Sequence, residues 1–473
     1  MNTPPCYDCP SPLESVIQTP KSIEDIELSP FRLLLNQAAD RLCPYIDSLE
    51  SAPAKNPSLT TQLREEALKP PGAALGVSTA LDKIMSVALS GYESNSPLHM
   101  AYVCSGNVAE AAVGELVSLV LNRYVSLRQH GEGMAAMEDG LIRWMVGVMG
   151  LPSSAHGILT SGGSMAILSA VVAARERVVG RRSTSMMDRA RVYVTDQSHM
   201  SLVKAIHFAG LSPSCVVKLD LWRMEEQVRS DVERGHVPMM VFATAGTTST
   251  GLIEPLVSLA SLARRHNAWF HVDACYGGFF MLTERGRARL RGIEEADSIS
   301  LDPHKSLFMP SGSGALLVRD AHAFKHHLSP VRGAYLRDVV VDAFSPWPEF
   351  ADLGPELTRE SRALKLWLPL HVHGIEWYRQ LLDDRLDLAA HLASSLAALS
   401  MIVTLNLSIV TARLDDPEQT NRLVLRLCAS REILFSSTVV GGQAVLRFCV
   451  LQWRTSMRDI ERVVGVVKEV MRD

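Results

Sequence analysis

The sequence of 473 residues lacks any uninterrupted apolar run of about 18 residues, the length that a helix needs to cross a bilayer. It therefore predicts no membrane span. Charge is nearly balanced, with 47 basic and 51 acidic residues and a formal net charge of −4. Nucleic-acid binding needs a concentrated basic face, so nucleic acid is not expected as the main partner.

Cysteine is sparse as well, because eight in 473 residues are too dilute for a disulfide framework. Cys6 and Cys9 form a lone C-x-x-C, and no second pair or His pair completes a zinc site, so we expect no metal. The first residues also lack the basic stretch and apolar core of a secretory signal. Together these observations favour a reducing, cytoplasmic location.

The middle of the chain alternates short apolar runs with amphipathic stretches. This rhythm predicts an α/β fold in which a mostly parallel sheet is covered by helices. The apolar runs are HGILTS (156–161), RVYVTD (191–196), SCVVKLD (214–220), PMMVFATAG (238–246), WFHVDAC (269–275), DSISLD (297–302) and GALLVRD (314–320).

The flanks differ from this middle region and suggest three parts. Residues 1–95 are a Pro- and Ser-rich tail followed by helices with proline breaks, and 96–355 form the large α/β domain. Residues 356–473 open with a long helix and continue with strand-like pairs, one of them with a turn at Gly441–Gly442. This pattern predicts a small C-terminal α+β domain.

Reactive side chains follow the apolar runs, at the carboxyl ends of the predicted strands, where ligands bind in open α/β sheets. One crevice should therefore collect them. The segments are Ser161–Ser164, Asp196–His199, Thr244–Thr248, Asp273–Tyr276 and Asp302–Ser306.

Three of these segments have a chemical use, and each has a simpler alternative. The glycine turn at Gly162–Gly163 enters a helix whose N–H groups suit a phosphate, although a tight βα turn explains it equally well. Asp273 ends an apolar strand and needs a cationic or hydrogen-bonding partner, or is an ordinary loop carboxylate. Lys305 lies at another predicted strand end, where a desolvated lysine has a depressed pKa and can attack aldehydes. Considered without the other segments, it would be interpreted as a surface lysine.

Taken in order, these segments resemble the group II pyridoxal-phosphate-dependent amino-acid decarboxylases of fold type I. That family includes the aromatic amino acid, glutamate and cysteine sulfinate decarboxylases. The resemblance covers about residues 95–380. The matching segments are TSGGSMA (160–166), DQSHMS (196–201), ATAGTTSTG (243–251), HVDACYGG (271–278), SLDPHKSLFMPSGSGALLVRD (300–320) and LGPELTRESRALKLW (353–367).

The resemblance implies pyridoxal 5′-phosphate as cofactor and gives roles to individual residues. Lys305 would form the Schiff base, Asp273 would pair with the pyridine nitrogen, and His199 would stack on the ring. The remaining implied cofactor contacts are Gly163, Ser164 and Ser306 at the phosphate, His304 on the phosphate or carboxylate side, and Thr244 near the ring hydroxyl.

The resemblance also implies a small-molecule amino-acid substrate and a homodimer with the active site at its interface. Tyr102 remains in a segment that often holds aromatics in the family, and Arg123 lies in a segment that would come from the partner. Neither names the substrate. A loop Tyr that protonates the product falls at Phe350 when counted back from LGPELTRESRALKLW, although Tyr335 could substitute.

Four outcomes stay open. The first is decarboxylation of an L-amino acid to the amine and carbon dioxide. Phe350 in place of the loop Tyr favours the second, decarboxylative oxidative deamination to an aldehyde with ammonia and peroxide. The others are a carbon–carbon lyase of the same fold and a silent, binding-only paralogue, which the intact Lys305, Asp273 and His199 argue against.

Overall fold

The structure, a computed structural model, describes residues 29–70, 72, 74–180, 184–328, 346–430 and 432–472. Cys6, Cys9 and Tyr335 lie outside the described residues. The contacts divide the described residues into two compact units, one with those of 29–49 and 56–91, the other with 50–55 and the described residues from 92 onward. In the described part no helix is both long and apolar enough to span a membrane.

The first unit is helical. Arg41 joins two of its helices, since its Nε lies 2.7 Å from Asp82 Oδ1 and a terminal nitrogen donates to Ser78 Oγ at 2.8 Å. The side chain of Thr60 caps the second helix by accepting the Leu63 N–H. The helices are α1 (Ser29–Ser48), α2 (Thr61–Leu68) and α3 (Val77–Ala88).

The second unit is built on a seven-stranded sheet, and each of the seven predicted apolar runs coincides with one strand, although β2 and β4 begin one residue earlier than their runs. The strands are β1 (His156–Thr160), β2 (Ala190–Val194), β3 (Val216–Lys218), β4 (Val237–Thr244), β5 (Trp269–Asp273), β6 (Ser298–Leu301) and β7 (Gly314–Val318). Their order is β1-β7-β6-β5-β4-β2-β3, and β7 alone among these seven described strands runs opposite to the other six. The expected mostly parallel sheet is confirmed.

Helices cover the sheet on both faces, and its central strands β4, β5 and β6 are therefore buried almost throughout. One core cluster includes Leu141 and Leu259, and another includes Ile167, Leu202 and Phe324. The helices of this region are α4 (Ala109–Leu121), α5 (Glu132–Val148), α6 (Gly163–Val178), α7 (Thr184–Arg189), α8 (Ser201–Phe208), α9 (Met224–Glu233), α10 (Leu256–Arg265), α11 (Glu284–Arg289), α12 (Pro303–Ser306) and α13 (Ala321–Leu328).

The C-terminal part follows the predicted α+β pattern. Its long helix bends at Gly374, whose backbone is non-helical. A four-stranded antiparallel sheet in the order β10-β11-β9-β8 follows, with a turn at Gly441–Gly442 as expected. The elements are α14 (Leu364–Ala397), β8 (Ile402–Asn406), β9 (Ile409–Arg413), α15 (Pro417–Ala429), β10 (Ser436–Val440), β11 (Gln443–Cys449) and α16 (Met457–Arg472).

Candidate active site

A cavity of about 460 Å³ lies at the carboxyl edge of the parallel strands, where the sequence predicted a crevice. It collects side chains from the ends of β1, β4, β5 and β6 and from the loop after β2. Its wall comprises Ser161, Gly162, Gly163, Ser164, Met165, Ile167, His199, Ser201, Thr244, Gly246, Thr248, Asp273, Cys275, Tyr276, Asp302, His304, Lys305 and Gly312.

Lys305 lies in α12, one short turn beyond β6, and its Nζ is 2.9 Å from Asp302 Oδ2. Burial alone would lower the pKa of this amine. The nearby charges, led by Asp302, outweigh burial and raise the pKa above its ordinary value. The expectation of a depressed pKa is therefore wrong for the cofactor-free chain, because the sequence argument considered desolvation without this carboxylate.

Asp302 is a site residue to which the sequence reasoning gave no role. Its side chain is only 5% exposed, and besides Lys305 it accepts the Gly163 N–H through Oδ1 at 2.6 Å. One carboxylate thus links Lys305 of α12 to the glycine turn after β1. The sequence signal that could have identified Asp302 is its position at the end of a predicted strand, shortly before His304 and Lys305.

Asp273 ends β5 and is buried. Its Oδ1 accepts the Cys275 N–H at 3.1 Å and the Ser300 hydroxyl at 3.3 Å. Among the described residues none donates to Oδ2. One oxygen of this carboxylate is therefore held by the protein, while the residue itself lines the cavity.

The glycine turn after β1 brings main chain close to the cavity. Gly162 has φ +153°, a value that side-chain-bearing residues rarely adopt, and a Cβ at Gly163 would collide with Cys275 Sγ. Helix α6 begins at Gly163, and the first N–H groups of a helix have no helical partners. Gly163 gives its N–H to Asp302, which leaves Ser164 as the next donor of this turn.

Thr244, at the end of β4, holds a buried hydroxyl oxygen that has no partner in the described part of the chain. Its N–H donates to Glu254 Oε2 at 2.7 Å, and the Thr195 hydroxyl donates to the other oxygen of Glu254. Burial raises the pKa of Glu254. Glu254 is a second supporting residue that the sequence reasoning missed, since nothing in its local pattern marks it.

His199 follows β2 and is half-buried, with Nδ1 accepting the Ser201 N–H at 3.3 Å and lying 2.8 Å from its hydroxyl. Burial lowers the pKa of His199, which favours the neutral ring. His304 donates its Nδ1–H to the Ser313 carbonyl, and its Nε2 is 3.6 Å from Asp302 Oδ2. Both rings border the cavity.

Comparison with known proteins agrees with this geometry. Residues 77–410 match the family model described as the pyridoxal-dependent decarboxylase conserved domain. The chain belongs to this family. It is 28% identical to an aromatic-L-amino-acid decarboxylase of Bacillus atrophaeus, over 80% of this chain and 82% of that protein.

Two further similarities come from rice. The chain is 28% identical to tryptophan decarboxylase 1 of Oryza sativa subsp. japonica, over 91% of each chain. The crystal structure of Oryza sativa TDC with PLP and tryptamine superposes with a TM-score of 0.88 at 26% identity, covering 95% of this chain and 99% of that one. The chain is thus a pyridoxal-phosphate-dependent decarboxylase of the group II type.

The cavity of this decarboxylase fits pyridoxal phosphate. The Thr244 hydroxyl has no partner among the described residues and can take a polar one from a ligand. The glycine turn leaves room where a Cβ would not fit, and Asp273 and Lys305 face the same cavity. Seven of the residues predicted from sequence line it, namely Lys305, His199, Asp273, His304, Gly163, Ser164 and Thr244.

Two of the predicted catalytic or cofactor-binding residues are not part of the cavity wall. Ser306 is fully buried and its hydroxyl donates to the Tyr276 carbonyl at 2.7 Å, so the expected phosphate contact is wrong. Phe350 is also fully buried, with the guanidinium groups of Arg128 and Arg359 4.2 and 5.0 Å from its ring centre. A core ring cannot be the catalytic loop residue, which corrects that expectation.

The two expected substrate-pocket residues lie elsewhere. Tyr102 is 64% exposed and lines a neighbouring cavity of about 240 Å³ that shares His304 with the first. Arg123 is exposed in the turn after α4 and lines neither cavity. A role for Arg123 in the partner's site stays a prediction.

Proposed function

We propose that this decarboxylase converts an L-amino acid to its amine and carbon dioxide. The observation that carries the proposal is the meeting of Lys305, Asp273, Thr244 and the turn at Gly163–Ser164 in one cavity. Aromatic L-amino acids are the first class to test, because the similar proteins from Bacillus atrophaeus and rice are named for them.

Bound pyridoxal phosphate supplies an electron sink for the electrons released when carbon dioxide leaves. In this chain Lys305 would attach the cofactor, and Ser164 with the first turn of α6 would bind its phosphate. Asp273 would hold a proton on the pyridine nitrogen, Thr244 would donate to or accept from the ring hydroxyl, and the neutral His199 would pack against the ring.

Two variants test the cofactor roles. Lys305→Ala should lose the cofactor that borohydride otherwise fixes covalently, and label on another lysine would contradict the assignment. Asp273→Asn should still bind cofactor and lose most of its rate, because a charge-assisted hydrogen bond becomes a neutral one. Near-normal turnover in Asp273→Asn would contradict its role.

Product analysis in air tests the reaction itself. Holoenzyme with a panel of L-amino acids should release amine and carbon dioxide in equal amounts. Aldehyde with ammonia and peroxide would replace the proposal by oxidative deamination, and cleavage without carbon dioxide would indicate a carbon–carbon lyase. Since Phe350 is in the core, its identity does not decide between these outcomes.

We further propose that the protein is a cytoplasmic homodimer with the site at the subunit interface. The division into residues 1–95, 96–355 and 356–473 stays a prediction from the sequence. One side of α4 packs on α14, where the Lys365 Nζ donates to Glu115 Oε1 at 3.0 Å. The other side is apolar and 38–56% exposed, which supports a second subunit there. Its residues are Val113, Leu116, Val117, Val120 and Leu121. A fully active monomer in sedimentation would contradict the dimer.

A further inference from the structure

The register of β5 on β6 places four polar side chains in two facing pairs. The strands run parallel, with His271 opposite Ser298 and Asp273 opposite Ser300. Because alternate residues of a strand share a face, all four side chains lie on one side of the sheet. Apart from Asp273, which borders the cavity, these side chains have no exposed surface.

These side chains form one continuous hydrogen-bonded chain that ends at Asp273. The Trp269 indole N–H donates to Ser298 Oγ at 2.8 Å, and Ser298 Oγ is 2.8 Å from His271 Nδ1. On the other side of the ring, His271 Nε2 is 3.3 Å from Ser300 Oγ, which donates to Asp273 Oδ1 at 3.3 Å.

Hydrogen-bond chemistry fixes the direction of this chain. An indole N–H can only donate and an ionised carboxylate can only accept. Burial lowers the pKa of His271 to about 4, so the ring is neutral near pH 7 and carries one proton. With Ser300 donating to Asp273, that proton lies on Nε2, and Nδ1 accepts the proton of Ser298.

We propose that His271 is a positioning residue for Asp273, held by Ser298 in the tautomer that makes Ser300 donate to the carboxylate. The proposal rests on the proposed function, in which Asp273 holds the pyridine nitrogen. Its consequence is that one oxygen of Asp273 is permanently engaged as an acceptor. The carboxylate is then fixed in orientation before the cofactor binds.

Without a donor at His271, the Ser300 hydroxyl can turn away from Asp273. In His271→Phe an aromatic ring remains at this position but donates no hydrogen bond, whereas the side-chain amide of His271→Gln can restore a donor toward Ser300. Rescue by Gln and not by Phe is the behaviour of a hydrogen-bonding role, since Phe fills a core position at least as well as Gln does.

The first test uses the cofactor-free protein and is independent of activity. Nitrogen NMR of protein with labelled histidine should show a neutral ring with the proton on Nε2, assigned by the signal that disappears in His271→Gln. In Ser298→Ala this signal should shift toward the other tautomer or a mixture. A proton on Nδ1 in the wild type would overturn the proposal even if the enzyme decarboxylates amino acids.

The second test uses the reconstituted enzyme. His271→Phe and Ser300→Ala should bind pyridoxal phosphate about tenfold more weakly, the typical effect of one hydrogen bond to a charged group, with an altered visible spectrum of the bound cofactor. His271→Gln should recover most of the affinity. The control is Ser169→Ala, whose buried hydroxyl donates only within α6.

The outcomes separate the two proposals. Unchanged affinity and spectrum in both His271→Phe and Ser300→Ala would overturn the positioning role while leaving the decarboxylase intact. A wild-type protein that shows the expected tautomer but binds no pyridoxal phosphate would overturn the proposed function, and the role of His271 toward the cofactor with it.

Discussion

Replacing Asp302 by Asn isolates the electrostatic control of Lys305. The amide keeps the shape of the carboxylate and can still accept the Gly163 N–H, so the turn should survive. The ion pair with Lys305 Nζ at 2.9 Å is lost. Burial, which lowers the pKa of Lys305, then acts with less opposition.

The expected size follows from the geometry. Two unit charges 2.9 Å apart attract by about 6 kcal/mol at an effective dielectric constant of about 20. If a quarter of this survives the opposing desolvation, the pKa of Lys305 falls by about one unit, since one unit corresponds to about 1.4 kcal/mol. The fraction of neutral, nucleophilic amine at neutral pH then rises about tenfold.

The assay is the rate at which cofactor-free protein covalently binds pyridoxal phosphate, followed by visible absorbance across a pH series. In Asp302→Asn the rate should be higher at neutral pH and its pH profile should move to lower pH. Asp196→Asn is the control, because this exposed carboxylate at a neighbouring strand end does not line the cavity. Identical profiles for wild type and Asp302→Asn would refute the reasoning.

Three further predictions concern stability. Arg359→Leu should lower the free energy of unfolding by about 3–5 kcal/mol in urea titrations, because it leaves Glu138 buried without its bidentate partner. Replacing Glu138 by Leu as well should restore part of this free energy, and a double variant as unstable as Arg359→Leu would contradict the reasoning. Between pH 6.5 and 4 the free energy of unfolding of the wild type should fall by about 3 kcal/mol more than that of His271→Gln. In this range His271 is protonated in the unfolded chain but not in the folded chain, where its pKa is about 4. Parallel curves of unfolding free energy against pH for the two proteins would disprove this. Gly246→Ala should lower the free energy of unfolding by on the order of 1–3 kcal/mol more than Gly91→Ala, as measured by thermal melting. Both glycines have φ +106°, but only a Cβ at Gly246 would meet Tyr276, at 2.7 Å. Equal losses of stability in the two variants would exclude the clash.

The sequence by itself determined the strands and the order of the reactive segments. Apolar periodicity is local, so each of the seven runs could be located from its own residues. The carboxyl-edge rule then placed Asp273, Thr244 and Lys305 in one crevice without any knowledge of side-chain positions.

Only the tertiary structure decided which side chains meet across the sheet. Register between β5 and β6 brings Ser300 to Asp273, and the fold brings Asp302 to Gly163, although 139 positions separate the last two in sequence. Counting along a loop could not show that Phe350 is buried against the guanidinium groups of Arg128 and Arg359. These contacts depend on long-range packing, which local pattern does not encode, whereas strand position depends on the pattern alone.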